Sequence, residues 1–228
     1  MSARTVWPTG TRSRGHVTVP PRAWPARGLT PLGANSRFMK REQVATAPTS
    51  FCSMPPLKPQ DIAIALQLAL TPGLTYAALA AATGISQGEV HNAVRRLRGA
   101  RLVRVDAMQI HGPALLEFLG AGVPYAFPAD GGAESRGVPT AHAAGVLGEG
   151  FSTTESVVWP SVEGRVRGAS VVPLYDGAAA TAARNPALYE LLALVDAVRL
   201  GRVRERTRAK QLLRERIAAA TAPSVTPA

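Results

Sequence analysis

The chain has 228 residues, 46% of them hydrophobic and 18% charged, which excludes a wholly disordered polyelectrolyte and leaves length for a real core. Its 26 Lys and Arg against 15 Asp and Glu leave a net charge of +11, which points to a polyanionic partner such as nucleic acid or an anionic membrane surface. The lone cysteine, Cys52, excludes an internal disulfide and a cysteine-based zinc cage, and no apolar run approaches the ~20 residues that span a bilayer. These features together predict a soluble, cytoplasmic protein.

Residues 1–53 contain Arg4, Arg12, Arg14, Arg22, Arg27, Arg37, Lys40 and Arg41 against a single acid, Glu42. Six prolines interrupt this stretch, and no period of 3.6 or 2 is sustained, so it cannot present a continuous apolar face. It is expected to be a disordered basic leader. Either the physiological start is downstream, at Met39 or Met54, or the leader is an arm that grips phosphates. A transit peptide shares the composition, but the prolines oppose the amphipathic helix that such peptides form.

From Leu57 the pattern is helical. Pro59 suits a first helical position, and Ile62, Leu66, Ala69 and Leu70 mark one face until Thr71-Pro72-Gly73. Thr75 can cap a second helix carrying Ala78, Leu79 and Ala82, which ends at Gly84, where a left-handed residue costs little. Ser86-Gln87-Gly88-Glu89 reads as a capping box opening a third helix. At about 100° per residue, Val90, Ala93, Val94 and Leu97 share an apolar stripe, and Gly88, His91, Asn92, Arg95, Arg96 and Arg98 occupy the opposite arc. Leu102–Val105 and Met108–Ile110 then read as a short hairpin, and Pro113–Leu119 as a further helix.

Two helices about a glycine turn, followed by a hairpin, make a winged helix-turn-helix. The outward arc of its third helix is nearly all donors, which suits a DNA groove. Asn92 and Gln87 can pair with adenine edges and Arg95 can fork onto guanine. Arg96, Arg98, Arg101 and Arg104 can hold phosphates or, from the wing, a minor groove. Ser86 and His91 complete the candidate face, and Gly88 permits close approach. The stretch Leu79–Leu97, followed by Gly99-Ala100-Arg101-Leu102-Val103, resembles the winged helix-turn-helix of bacterial MarR-type transcriptional regulators over about residues 57–122. The resemblance implies that Ser86–Arg98 enters the major groove and that Leu102–Ile110 is the wing.

Beyond Gly122, Val123–Phe127 reads as a strand, Gly131–Pro139 as mainly loop, and Val157–Trp159 with Val166–Val172 as a β-hairpin. Asn185-Pro186 opens a helix with Leu188, Leu191, Leu192 and Val195 on one stripe, a core or a dimer interface. A basic helix follows to about Ala220, either a second nucleic-acid surface or, as the preferred expectation, an amphipathic helix packed through Val203, Leu212, Leu213 and Ile217 with its arginines solvated or paired. The fold class expected is α+β: a disordered leader at 1–53, a winged helix-turn-helix at 57–122, and a small α+β module at 123–222 for dimerisation or partner binding. The surface around Trp159 and Arg136–His142 is its expected contact region.

No catalytic spacing is present. His111 and His142 are left as candidate bases, and Asp130, Glu134, Glu149, Glu155, Glu163 and Asp176 are scattered without a metal-ligand motif. No Walker or dinucleotide glycine fingerprint occurs. The expectation is a non-enzymatic, sequence-specific regulator without cofactor or metal. It would bind double-stranded DNA as a homodimer in the bacterial cytoplasm, away from membranes. The alternative is an antitoxin-like autoregulator whose 123–222 module binds a partner protein, a reading that rests on layout.

Overall fold

In a computed structural model, residues 55–151 and 155–221 are described. The leader, Cys52 and His16 lie outside them. The first three helices form where local signals place them. Helix α1 spans Pro59–Leu70, with Pro59 at its first position and the Asp61 carboxylate accepting the Lys58 N–H at 2.9 Å. Helix α2, Tyr76–Thr83, starts at Thr75, whose hydroxyl accepts the Ala78 N–H, and stops at Gly84 with φ 74°. Helix α3, Gln87–Gly99, follows directly.

Val103 and Ile110 form a single antiparallel bridge, extended by bonds from Arg104 N–H to the Gln109 carbonyl and from His111 N–H to the Leu102 carbonyl. The wing is therefore short. Helix α4, Gly112–Glu117, is capped by His111 Nδ1, which accepts the Ala114 N–H at 3.3 Å. It continues through a π-turn at Phe118–Gly122 into α5, Val123–Ala126. Val123–Phe127 is thus not the strand its β-branched and aromatic residues suggest. Val123 is fully buried at a helical position, and its N–H donates to the Phe118 carbonyl across the π-turn, so the chain stays helical through Pro124.

The three strands are β1 at Gly131–Pro139, β2 at Val157–Pro160 and β3 at Val166–Val171. Strand β1 runs antiparallel to both others, with Val138 opposite Trp159 and Arg136 opposite Arg167. The expected β2–β3 hairpin is instead a parallel pair, Val157 opposite Ala169, and the expected loop at 131–139 is the strand that joins them. Glycine makes this closure possible. Gly137 is in register with both Pro160 and Val166, and a Cβ there would collide with the Trp159 carbonyl. A Cβ on Gly164 would in turn strike Gly137.

Helix α6 spans Ala178–Arg184, α7 Pro186–Leu200 and α8 Val203–Thr221. Asn185 caps α7 by accepting the Leu188 N–H at 3.2 Å. Every residue from Leu191 to Val198 is buried, so the stripe of Leu188, Leu191, Leu192 and Val195 belongs to the core of the single chain. Each such leucine contributes ~1.5–3 kcal/mol by leaving water. Helix α1, buried from Asp61 to Ala69, packs on α2 and α3 and also on α7 and α8. Helix α8 packs through Ala209, Leu213 and Ile217, whereas Val203 is 79% exposed and not part of that stripe.

Trp159, expected near a contact surface, is also buried. Its indole N–H donates to Asp196 at 2.6 Å, beside donors from the Thr140 hydroxyl at 2.8 Å and Arg199 at 2.5 Å. Burial pushes the Asp196 carboxyl up, while Arg199 and the other donors pull against that shift. These bonds fasten the small sheet to α7.

Candidate nucleic-acid interface

The apolar stripe of α3 lies where the helical phase puts it: Val90, Ala93, Val94 and Leu97 are fully buried. This fixes the opposite face outward. Ser86, Gln87, Gly88, His91 and Arg95 are exposed, and Asn92 is half-buried beside them. A Cβ on Gly88 would meet nothing within 4 Å, so no neighbour within the protein demands glycine there. Its bare backbone leaves the start of the helix open to close approach. His91 packs on Tyr76 of α2, ring centroids 5.2 Å apart and tilted by 50°. Tyr76 is a member of this surface that sequence reasoning missed; the cue was an aromatic directly after the Thr75 cap.

Arg96 corrects the expected face. It is only 6% exposed, and its guanidinium turns inward to α1. Nε and Nη2 donate to the two Asp61 oxygens at 2.8 and 2.7 Å, and Nη2 also donates to Glu89 at 2.7 Å. With both carboxylates engaged, this arginine is not available to a phosphate. Its own pKa is raised, chiefly by the bond to Asp61.

The capping box is half realised. Ser86 Oγ accepts the Glu89 N–H at 3.4 Å, but the Glu89 carboxylate does not return to Ser86. It accepts instead from Gln60 at 2.8 Å and Lys58 at 3.1 Å as well as Arg96. Arg96 and then Lys58 hold the Glu89 carboxyl below its ordinary value. The only acid of α3 is thereby neutralised locally, which leaves the outer face without an unpaired negative charge.

Arg98 is half-buried against the wing, with Nη2 3.6 Å from Met108 Sδ and, among the described residues, no acceptor for its Nε. The wing is held in turn by a bond from Gly73 N–H to the Met108 carbonyl. Arg101, left-handed at φ 60°, and Arg104 are both exposed. The structure therefore brings Ser86, Gln87, Gly88, His91, Asn92 and Arg95 onto one helix face, places Arg101 and Arg104 at the wing, and withdraws Arg96.

The two histidines left as candidate bases are otherwise occupied. His111 caps α4, and His142 Nε2 lies 2.8 Å from the Glu155 carbonyl. Among the described residues no group of three or more His, Cys, Asp or Glu is placed to hold a metal, and no helix is long and apolar enough to cross a membrane.

Two helices about a left-handed glycine and a bridge-closed wing define a winged helix-turn-helix, followed here by a three-stranded sheet and three helices in an α+β arrangement. Residues 56–107 match the model of the MarR family, a segment that covers less than half of the chain. The match supports a DNA-binding, transcription-regulating role in general, and the segment resembles MarR-type winged helices. No curated protein and no solved structure matches the chain.

Proposed function

We propose that the protein is a sequence-specific regulator of transcription in the bacterial cytoplasm, with no enzymatic step. It binds double-stranded DNA as a homodimer and lays Ser86–Arg98 in the major groove. One observation carries this reading: the outer face of α3 exposes donors and an open glycine, while its one acid is bound to cations on the inner side. Gln87 and Asn92 suit adenine edges and Arg95 a guanine, with Ser86, Gly88 and His91 lining the approach. Arg98, Arg101 and Arg104 serve the phosphates at the wing. Residues 57–122 form the DNA-binding part and residues 123–222 the part that dimerises. Because the Leu188 stripe is internal, dimerisation must use exposed side chains, of which Tyr125, Val162 and Val172 are the large apolar ones beyond Gly122 and before α6.

Selection of the full chain against a random duplex pool, at near-physiological salt where phosphate attraction is weakened, tests this reading. Enrichment of a palindromic motif is expected. Salt-sensitive retention without any enriched motif would overturn it. A second reading draws on the same exposed apolar side chains, which suit a protein partner in an antitoxin-like autoregulator. Stable co-purification of a second protein would favour that reading.

A further inference from the structure

We propose that Arg184, at the end of α6, is a phosphate contact of the DNA interface, supplied to the helix-turn-helix by the C-terminal half of the chain. The inference rests on the DNA-binding reading above and extends it to a residue outside the matched segment. Its basis is where the guanidinium lies. A Cβ built on Gly84 would meet Arg184 Nη2 at 2.8 Å and its Cζ and Nη1 at 3.6 Å, so the guanidinium sits directly on the turn between α2 and α3. Gly84 suits this turn through its left-handed φ of 74°. Ser86, the first exposed residue of the candidate DNA face, is two positions further on.

The backbone beside Arg184 is anchored by the next residue. The neighbouring Asn185 donates to Gln67 Oε1 of α1 at 2.8 Å and to the Ala82 carbonyl of α2 at 3.5 Å. Arg184 Nε donates to the Ala180 carbonyl at 3.3 Å, which holds the stem, and among the described residues neither terminal nitrogen makes a hydrogen bond. The side chain is exposed, and among the described residues no carboxylate forms an ion pair with it. A planar, permanently charged fork with two free donor nitrogens, lying beside the start of α3, matches the geometry of a backbone phosphate. It carries no base information, so its effect should be the same on any sequence.

The test is the salt dependence of binding of the full chain to a mixed-sequence duplex. Each phosphate neutralised on B-DNA contributes about −0.9 to the slope of log K against log salt. Arg184→Gln and Arg184→Ala should each flatten the slope by about 0.9 and weaken binding several-fold at low salt, with melting temperature unchanged. Arg184→Lys should keep the slope, and Arg165→Gln, which removes an exposed charge from the loop between β2 and β3, should leave it unaltered. A wild-type slope in Arg184→Gln and Arg184→Ala would overturn the assignment and leave the DNA-binding reading intact. Equal flattening by Arg165→Gln would overturn it too, as an effect of net charge. A wild-type protein that does not bind duplex at all would overturn both.

Discussion

Helices α3 and α8 are both rich in arginine, yet they place the charge differently. On α3 the inward arginine, Arg96, absorbs both nearby acids, and Arg95 is left exposed with no ion pair among the described residues. On α8 four of the six cations make contacts within the protein, while among the described residues Lys210 and Arg214 form no ion pair. Arg206 donates to the Gly201 carbonyl, Arg208 to the Leu147 carbonyl, and Arg216 pairs with Glu190. Arg204 lies 5.7 Å from the centre of the Phe151 ring. A count of basic residues would rank α8 above α3 as a polyanion-binding helix, but it does not show which guanidinium groups already have partners. Charge matters for binding only where it is free to be given to something else.

The largest way to break this contrast is to remove the acid that keeps Arg96 inside. Asp61→Ala leaves a guanidinium almost wholly buried with only Glu89 to answer it, and should cost ~3–5 kcal/mol in chemical denaturation. The paired replacement Asp61→Leu with Arg96→Met should restore much of that loss, since neither charge is then stranded. Next in size is the packing that sets the phase of α3. Leu97→Ala should cost ~2–5 kcal/mol, and an unchanged melting temperature would mean that the outward face has been assigned wrongly. Arg95→Ala should leave stability unaltered while reducing discrimination between specific and random DNA by ~1–3 kcal/mol. Equal losses on both duplexes would demote Arg95 to a backbone contact. The α8 counterpart, Arg204→Ala, should cost only ~0.5–1 kcal/mol of stability through its ring contact and leave DNA binding as it was.

Acid titration sharpens the comparison further. The Glu89 carboxyl sits below its ordinary value of 4.5, so the folded state favours the ionised form more than the unfolded state does. The stability it contributes is complete above 4.5 and is lost as pH falls below that value through the folded pKa. Glu89→Gln should flatten this acid limb in denaturation curves recorded across that range. A limb of unchanged steepness would show that the Lys58, Gln60 and Arg96 contacts do not hold in solution.

The three helices of the winged segment were legible because their boundaries are local. Pro59, Thr75, Gly84 and Ser86 each act on a backbone group within three residues. The apolar stripe of α3 was legible for the same reason. Arg96 was not, because a helical wheel treats the helix in isolation and the deciding partner, Asp61, is 35 positions earlier in sequence. The available cue was an acid set against the apolar run Ile62–Leu66. The small sheet was the least legible part. Strand β1 contains three glycines and little alternation, and its value as a strand lies in how closely β2 and β3 can approach it. That depends on residues more than twenty positions away. Val123–Phe127 failed through composition, because burial of Val123 in a continuing helix outweighed the β preference of its side chains.

Helix α1 has one more consequence. Because all its residues from Asp61 to Ala69 are covered, some by α2 and α3 and some by α7 and α8, it has no side that faces solvent. A fragment cut after Gly122 would strip α7 and α8 from it and leave a wet apolar groove on the back of the winged segment. Such a fragment should be poorly soluble and self-associating, so shortened versions made for crystallisation or spectroscopy ought to be trimmed ahead of Pro59 and beyond α8, never between the two halves.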